Sequence, residues 1–309
     1  MKKIILTIAA TSLFLIAAPV QSQGIEEWSH SGELKNNHIN KVDDEQVLGM
    51  PVDISDTLFV GTSTNASGST SSLNDTFSVD VDMNTAQSIL SGNGVWGATA
   101  DPDNERILFT QSSATGFGDN LFALPYTDGG APVLLGNITV GGLEQRIDGL
   151  AMRNGVLYGY EAGAGASNGF YQIDLQTFEA TLIAASTESI SGIDADPETC
   201  IIYGVNDTAG QVVTIDTSGN ITNLVAYPVG ITDIDGIAVG GGFAYLVTDE
   251  AGDISVLDLS TLTYDTPLTS PFAAADTFSA GALAVPSAAN NLDLIFKNGF
   301  EFNSCADIQ

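Results

Sequence analysis

The stretches "IDGLAMRNGVLYGYEAGAGASNGFYQIDLQTFEATLI" (residues 147–183) and "ISGIDADPETCIIYGVNDTAGQVVTIDTSGNITNLV" (residues 190–225) are two copies of one pattern. Each opens on an apolar-polar-Gly step, turns, and returns through a second apolar strand, "LYGYE" or "IIYGV". An alternating third strand ends in Asp174 or Asp216, and a fourth apolar run follows the next turn. Four short strands per repeat, joined by turn residues, is the layout of a β-propeller blade.

The opening step occurs five times: Val95-Trp96-Gly97-Ala98, Ile147-Asp148-Gly149-Leu150, Ile190-Ser191-Gly192-Ile193, Ile234-Asp235-Gly236-Ile237 and Ser279-Ala280-Gly281-Ala282. Its glycines are spaced 52, 43, 44 and 45 residues apart. The strand-ending aspartate recurs as Asp82, Asp174, Asp216 and Asp258, while "NLFALPYTDGGAPVLL" fills one repeat without it. Four units are complete. Before them "TLFVGTS", "FSVDVD" and "QSIL" supply three strands, and after them "SAGALAV" supplies the missing first one. Joining the fragments closes the ring and removes the open sheet edge between the chain ends. The expected fold is therefore all-β, a five-bladed β-propeller closed by its C-terminal strand. Six blades is the alternative and would need a poorly formed blade within residues 25–56. A β-sandwich does not explain the ordered recurrence.

Residues 1–22, "MKKIILTIAATSLFLIAAPVQS", read as a secretory signal peptide, basic at Lys2 and Lys3, then apolar, with cleavage near Ser22. The apolar run is shorter than the roughly 20 residues of a spanning helix. Export to the periplasm or the medium is expected, with no transmembrane segment. The remaining divisions are an N-terminal extension (23–56), the propeller (57–285), and a linker with C-terminal tail (286–309). Eight Lys and Arg stand against 38 Asp and Glu, a formal net charge of −30, with no basic residue between Arg153 and Lys297. That field repels phosphate backbones, so nucleic-acid partners are excluded. The two cysteines, Cys200 and Cys305, are a possible disulfide in an exported chain.

The first strand of a propeller blade lines the central channel, so repeat register brings candidate ligands together. Just before each repeat glycine stand Trp96, Asp148, Ser191, Asp235 and Ala280; two residues earlier stand Gly94, Arg146, Ser189, Asp233 and Phe278. Trp96, Arg146, Asp148, Ser191, Asp233 and Asp235 are the candidate ligand-binding residues at the channel mouth. Asp148, Asp233 and Asp235 form a candidate calcium site, because oxygen-only ligands suit that ion. The same aspartates serve equally well as caps that accept backbone N–H groups. His30 and His38 precede the first blade, and neither a Gly-x-Ser-x-Gly turn nor a phosphate loop is present, so no catalytic residue is assigned. In "DADPET" (194–199) the acids read as a hairpin aligned with "TADPDNER", and Cys200 as a packed residue.

The two repeats quoted above resemble secreted bacterial propeller repeats of YVTN-like type. Asp101-Pro102, Asp196-Pro197, Ile202-Tyr203 and Ile173-Asp174 to Thr177 carry the likeness, over about residues 57–285. The resemblance implies a propeller that binds proteins or sugars, or acts as a metal-dependent lactonase or phosphatase. "LIFKNGFE", Leu294 to Glu301, resembles a short ending on exported proteobacterial proteins, which implies a processing or sorting tail. The leading expectation is an exported, monomeric, non-enzymatic module for a protein or carbohydrate ligand. The alternative is a calcium-dependent hydrolase.

Overall fold

The computed structural model describes residues 53–64, 75–91, 94–111, 119–127, 131–162, 168–248, 253–272 and 277–285. All belong to the second of two units into which the chain divides after Val47. Residues 1–22, expected to be a leader, most of the 23–56 extension, both histidines, Cys305 and the C-terminal tail lie outside the described residues.

Blade I contains β1 (Leu58–Thr64), β2 (Asp75–Asp80) and β3 (Thr85–Ser91). Blade II contains β4 (Val95–Asp101), β5 (Arg106–Gln111), β6 (Asn120–Pro125) and β7 (Val133–Asn137). A small hairpin, β8 (Thr139–Val140) and β9 (Leu143–Glu144), leads into blade III: β10 (Gly149–Arg153), β11 (Val156–Glu161), β12 (Gly169–Ile173) and β13 (Ala180–Ala185). Blade IV is β14 (Ile190–Ala195), β15 (Ile202–Asn206), β16 (Gln211–Ile215) and β17 (Ile221–Ala226). Blade V is β18 (Gly236–Gly240), β19 (Phe243–Val247), β20 (Asp253–Asp258) and an outer strand split into β21 (Thr263–Tyr264) and β22 (Leu268–Thr269). Finally β23 (Thr277–Leu283) returns to blade I, giving the sheet order β23-β1-β2-β3, with Val60 opposite Gly281. The fold is a five-bladed β-propeller closed by its C-terminal strand. The β8–β9 hairpin accounts for the one long spacing between repeat glycines.

Five apolar clusters fill the wedges between adjacent blades. Inner strands are covered on both faces, which is why β14 is buried at every position while outer β13 is exposed at Thr181, Leu182 and Ala185. The outer pairs β2–β3, β6–β7, β12–β13 and β16–β17 each carry a bulge near one end. A bulge twists the free edge and hinders pairing with another chain. Among the described residues no helix is long and apolar enough to cross a membrane.

The innermost strands β4, β10, β14, β18 and β23 pack side by side around the axis. The repeat glycines permit that approach. A Cβ on Gly97 would sit 2.6 Å from the Asp148 carbonyl oxygen, one on Gly149 2.7 Å from the Ile193 nitrogen, and one on Gly236 2.8 Å from the Ala280 Cα. Each obstacle is backbone of the next blade. Pattern and packing therefore have one cause: these strands meet where no side chain fits.

The strand-ending aspartates close the turns between third and fourth strands. Oδ1 of Asp174, Asp216 and Asp258 accepts the backbone N–H two residues on, from Gln176 at 2.7 Å, Ser218 at 2.8 Å and Ser260 at 2.7 Å. In blade I this role falls to Asp80, which accepts from Asp82 and Met83, and not to Asp82 as the repeat alignment suggests. Hydrogen bonds led by those from Asn220 and Ser260 hold Asp216 and Asp258 below the usual carboxylate range. The Asp258 turn ends at Leu262, held at φ 56° by its N–H bond to the Asp258 carbonyl. A left-handed residue with a side chain is strained there, so Leu262→Gly is expected to stabilise the protein by about 0.5–1 kcal/mol. A lower denaturant midpoint for this variant refutes that account.

Candidate functional site

Four of the five residues preceding the repeat glycines meet on the axis: Trp96, Asp148, Asp235 and Ala280. The space between them is too narrow for a water molecule. The propeller has a closed axis here, so any ligand at this end rests on the mouth.

Arg146 bridges two blades at that mouth. Its guanidinium carbon lies 4.7 Å from the centre of the Trp96 ring, and its Nε donates to Asp148 Oδ1. Asp148 is fully buried, and its Oδ2 accepts the Ala162 N–H at 2.8 Å. Burial pushes the Asp148 carboxyl upward, and the Arg146 charge opposes that shift. Beside the pair, Gln145 donates to the buried Glu161 at 2.6 Å. The Arg146 side chain remains 35% exposed, a cation over an aromatic ring in a strongly acidic chain.

Ser191 does not join this group. Its hydroxyl turns toward Asp207 Oδ2 and the Ile234 carbonyl, each at 2.7 Å. Asp207 Oδ1 accepts from Tyr227 at 3.0 Å and from the Ile234 N–H at 3.3 Å. Asp233 is exposed on the crossover from blade IV to blade V, whereas Asp235 is buried at the axis. Asp148, Asp233 and Asp235 therefore fail to form a calcium cage. Asp148 is engaged by Arg146 and a backbone N–H, and Asp233 faces solvent. Among the described residues no three His, Cys, Asp or Glu side chains gather as metal ligands.

Below the glycine waist lies a second polar group that the repeat register did not flag. Asp194 is not in a turn; it sits inside β14 with its side chain wholly buried. Its Oδ1 accepts from the Thr99 hydroxyl at 2.8 Å and the Ala195 N–H at 2.9 Å, and its Oδ2 from the Val239 N–H at 2.8 Å. Thr99 in turn accepts the Met152 N–H at 2.9 Å. Blades II, III, IV and V are thus tied together on the axis. The Met152 and Val239 donors belong to innermost strands, whose axis-facing edges have no further strand to pair with. Burial drives the Asp194 carboxyl up to about 8.

The remaining acids of "DADPET" do form the expected turn. Asp196 accepts from the Glu198 N–H at 2.9 Å and the Thr199 hydroxyl at 2.6 Å, and Cys200 closes it at φ 61°. Cys200 is buried. The only other cysteine of the chain, Cys305, lies outside the described residues.

No known protein family matches the chain, and no curated protein matches it. Among solved structures it is similar to a Bacteroides thetaiotaomicron protein of unknown function, with 15% identity over 68% of this chain and a TM-score of 0.46. The chain spans 64% of the length of that protein. It is also similar to a chain of a nidogen/laminin complex, with 11% identity over 74% of this chain and 99% of the other, at a TM-score of 0.46. Likenesses this distant say nothing of function.

Proposed function

We propose that this chain is an exported, non-enzymatic binding module whose ligand docks on the mouth formed by Trp96, Arg146 and the neighbouring crossovers. The observation that carries this reading is the half-exposed Arg146 guanidinium on Trp96. A guanidinium placed over an aromatic ring and anchored through Nε keeps the planar fork of its other N–H donors for a ligand. Such a fork suits a carboxylate or a cluster of carbonyl and hydroxyl oxygens, chemistry that a protein or an acidic carbohydrate supplies. The closed axis keeps such a ligand at the surface. Export follows from the leader-like residues 1–22. The calcium-hydrolase alternative depends on three carboxylates converging, and Asp148 and Asp233 have separate surroundings.

The test is a pull-down from the source organism's own culture medium with immobilised protein, followed by affinity measurement on what is captured. Removing Arg146 alone would strand the buried Asp148 charge and destabilise the fold. The paired variant Arg146→Met/Asp148→Asn removes both charges together and is expected to fold. It should weaken capture by about tenfold or more, the scale of losing a charged bidentate contact. Equal capture by this variant and the wild type would show that the mouth is not the binding surface.

A further inference from the structure

We propose that in mildly acidic solution Asp207 carries a proton in the folded protein, and that this neutral acid latches the blade IV–V crossover, residues 227–235, onto blade IV. Ser191 Oγ stands 2.7 Å from Asp207 Oδ2 and 2.7 Å from the Ile234 carbonyl oxygen. Two oxygen–oxygen contacts this short each need a proton, because lone pairs facing one another repel. A serine hydroxyl has one, and a carbonyl has none. The second proton therefore sits on Asp207 Oδ2, which donates to Ser191, while Ser191 donates to Ile234. Oδ1 stays free to accept from the Tyr227 hydroxyl and the Ile234 N–H.

The surroundings favour the neutral form. Asp233, on the crossover, adds a nearby negative charge. A Ser191 hydroxyl turned to donate to Asp207, the Tyr227 hydroxyl and the Ile234 N–H act against protonation; Tyr264 influences Tyr227, and Glu188 is engaged by Asn206 at 3.2 Å. Burial, followed by Asp233, raises the Asp207 carboxyl to about 6. Because the folded value lies above the ordinary carboxylate value of 3.8, the latch is complete in acid and is lost as pH rises through about 6. Once Asp207 ionises, Ser191 can serve Asp207 or Ile234 but not both. The crossover then loses a tie to blade IV. It carries the fully exposed Val229 and the exposed Asp233, so its hold sets the shape of one side of the mouth. This device stands on the Ser191–Asp207–Ile234 geometry and does not depend on the binding reading.

The experiment is an NMR titration of the Asp207 carboxyl carbon from pH 3 to 8, with amide exchange of Ile234, corrected for intrinsic rate, from pH 5 to 8. The wild type is expected to titrate near pH 6 and to lose about tenfold in Ile234 protection across that range. Asp207→Asn places an N–H where the acid proton stood, so its Ile234 protection should not change with pH. Ser191→Ala removes the need for the second proton and should lower the Asp207 midpoint. An Asp207 midpoint near 4 in the wild type, or the same pH-dependent loss in Asp207→Asn, overturns the proposal. If Asp207→Asn does not fold, the wild-type and Ser191→Ala titrations decide it.

Discussion

Gly236→Ala is expected to cost about 3 kcal/mol or more, enough to leave a marginal domain largely unfolded. The added methyl group would lie 2.8 Å from the Ala280 Cα and 2.9 Å from the Gly281 nitrogen, both backbone atoms of the neighbouring inner strand. A flexible side chain could rotate away, but here one blade must move from the next. Because the ring is closed, opening one wedge strains the others. Gly281→Ala is the contrasting case. Its methyl group would meet Val247 Cγ2 at 3.3 Å and Ala238 Cβ at 3.4 Å, side-chain atoms at nearly ordinary contact distance, so a loss within about 1 kcal/mol is expected. Thermal melting of both variants checks the pair. Equal losses would mean that the recurring step length, and not close approach on the axis, is what the glycines serve.

Asp194→Asn is expected to remove the slope of the pH–stability profile between about pH 6 and 8. The folded Asp194 carboxyl lies near 8, raised by burial from 3.8, so its contribution is present at low pH and is lost as pH rises through about 8. The neutral acid suits the site, because Oδ2 accepts one hydrogen bond and keeps a lone-pair position for a proton. Asparagine cannot reproduce the arrangement. Three donors converge on Asp194, from Thr99, Ala195 and Val239, and an amide nitrogen must oppose at least one of them. The variant should therefore be about 1–2 kcal/mol less stable than wild type at pH 5, the cost of one buried mismatch. It should match or exceed wild type near pH 9, where the wild type must bury a charge. Profiles that run parallel, without crossing, would show that Asp194 is ionised throughout.

Much of the architecture was open to sequence reading because a propeller repeats its local rules. Ile190-Ser191-Gly192 and its counterparts mark strands that must approach closely, and Asp174, Asp216 and Asp258 mark turns that need an acceptor. Where the local signal was ambiguous, the reading slipped. "VDVD" offers Asp80 and Asp82 on the same face of the strand, and only the turn geometry selects Asp80. "NDTAG" looks like any polar hairpin, so Asp207 drew no attention beside Ser191. Asp194 was grouped with the turn acids because a charged residue within an inner strand is unusual unless partners await it.

The sequence by itself determined five blades, the closure by the last strand, and the axial placing of Trp96, Asp148 and Asp235, because blade period and strand alternation act over a few residues. Only the tertiary structure decided the state of each carboxylate. Asp194 meets Thr99 across 95 positions of chain, Asp207 meets Ile234 across 27, and Asp148 is engaged by Arg146 and Ala162 instead of an ion. Charge, proton and ligand at such groups depend on burial and on through-space partners, and those exist only once the ring has closed.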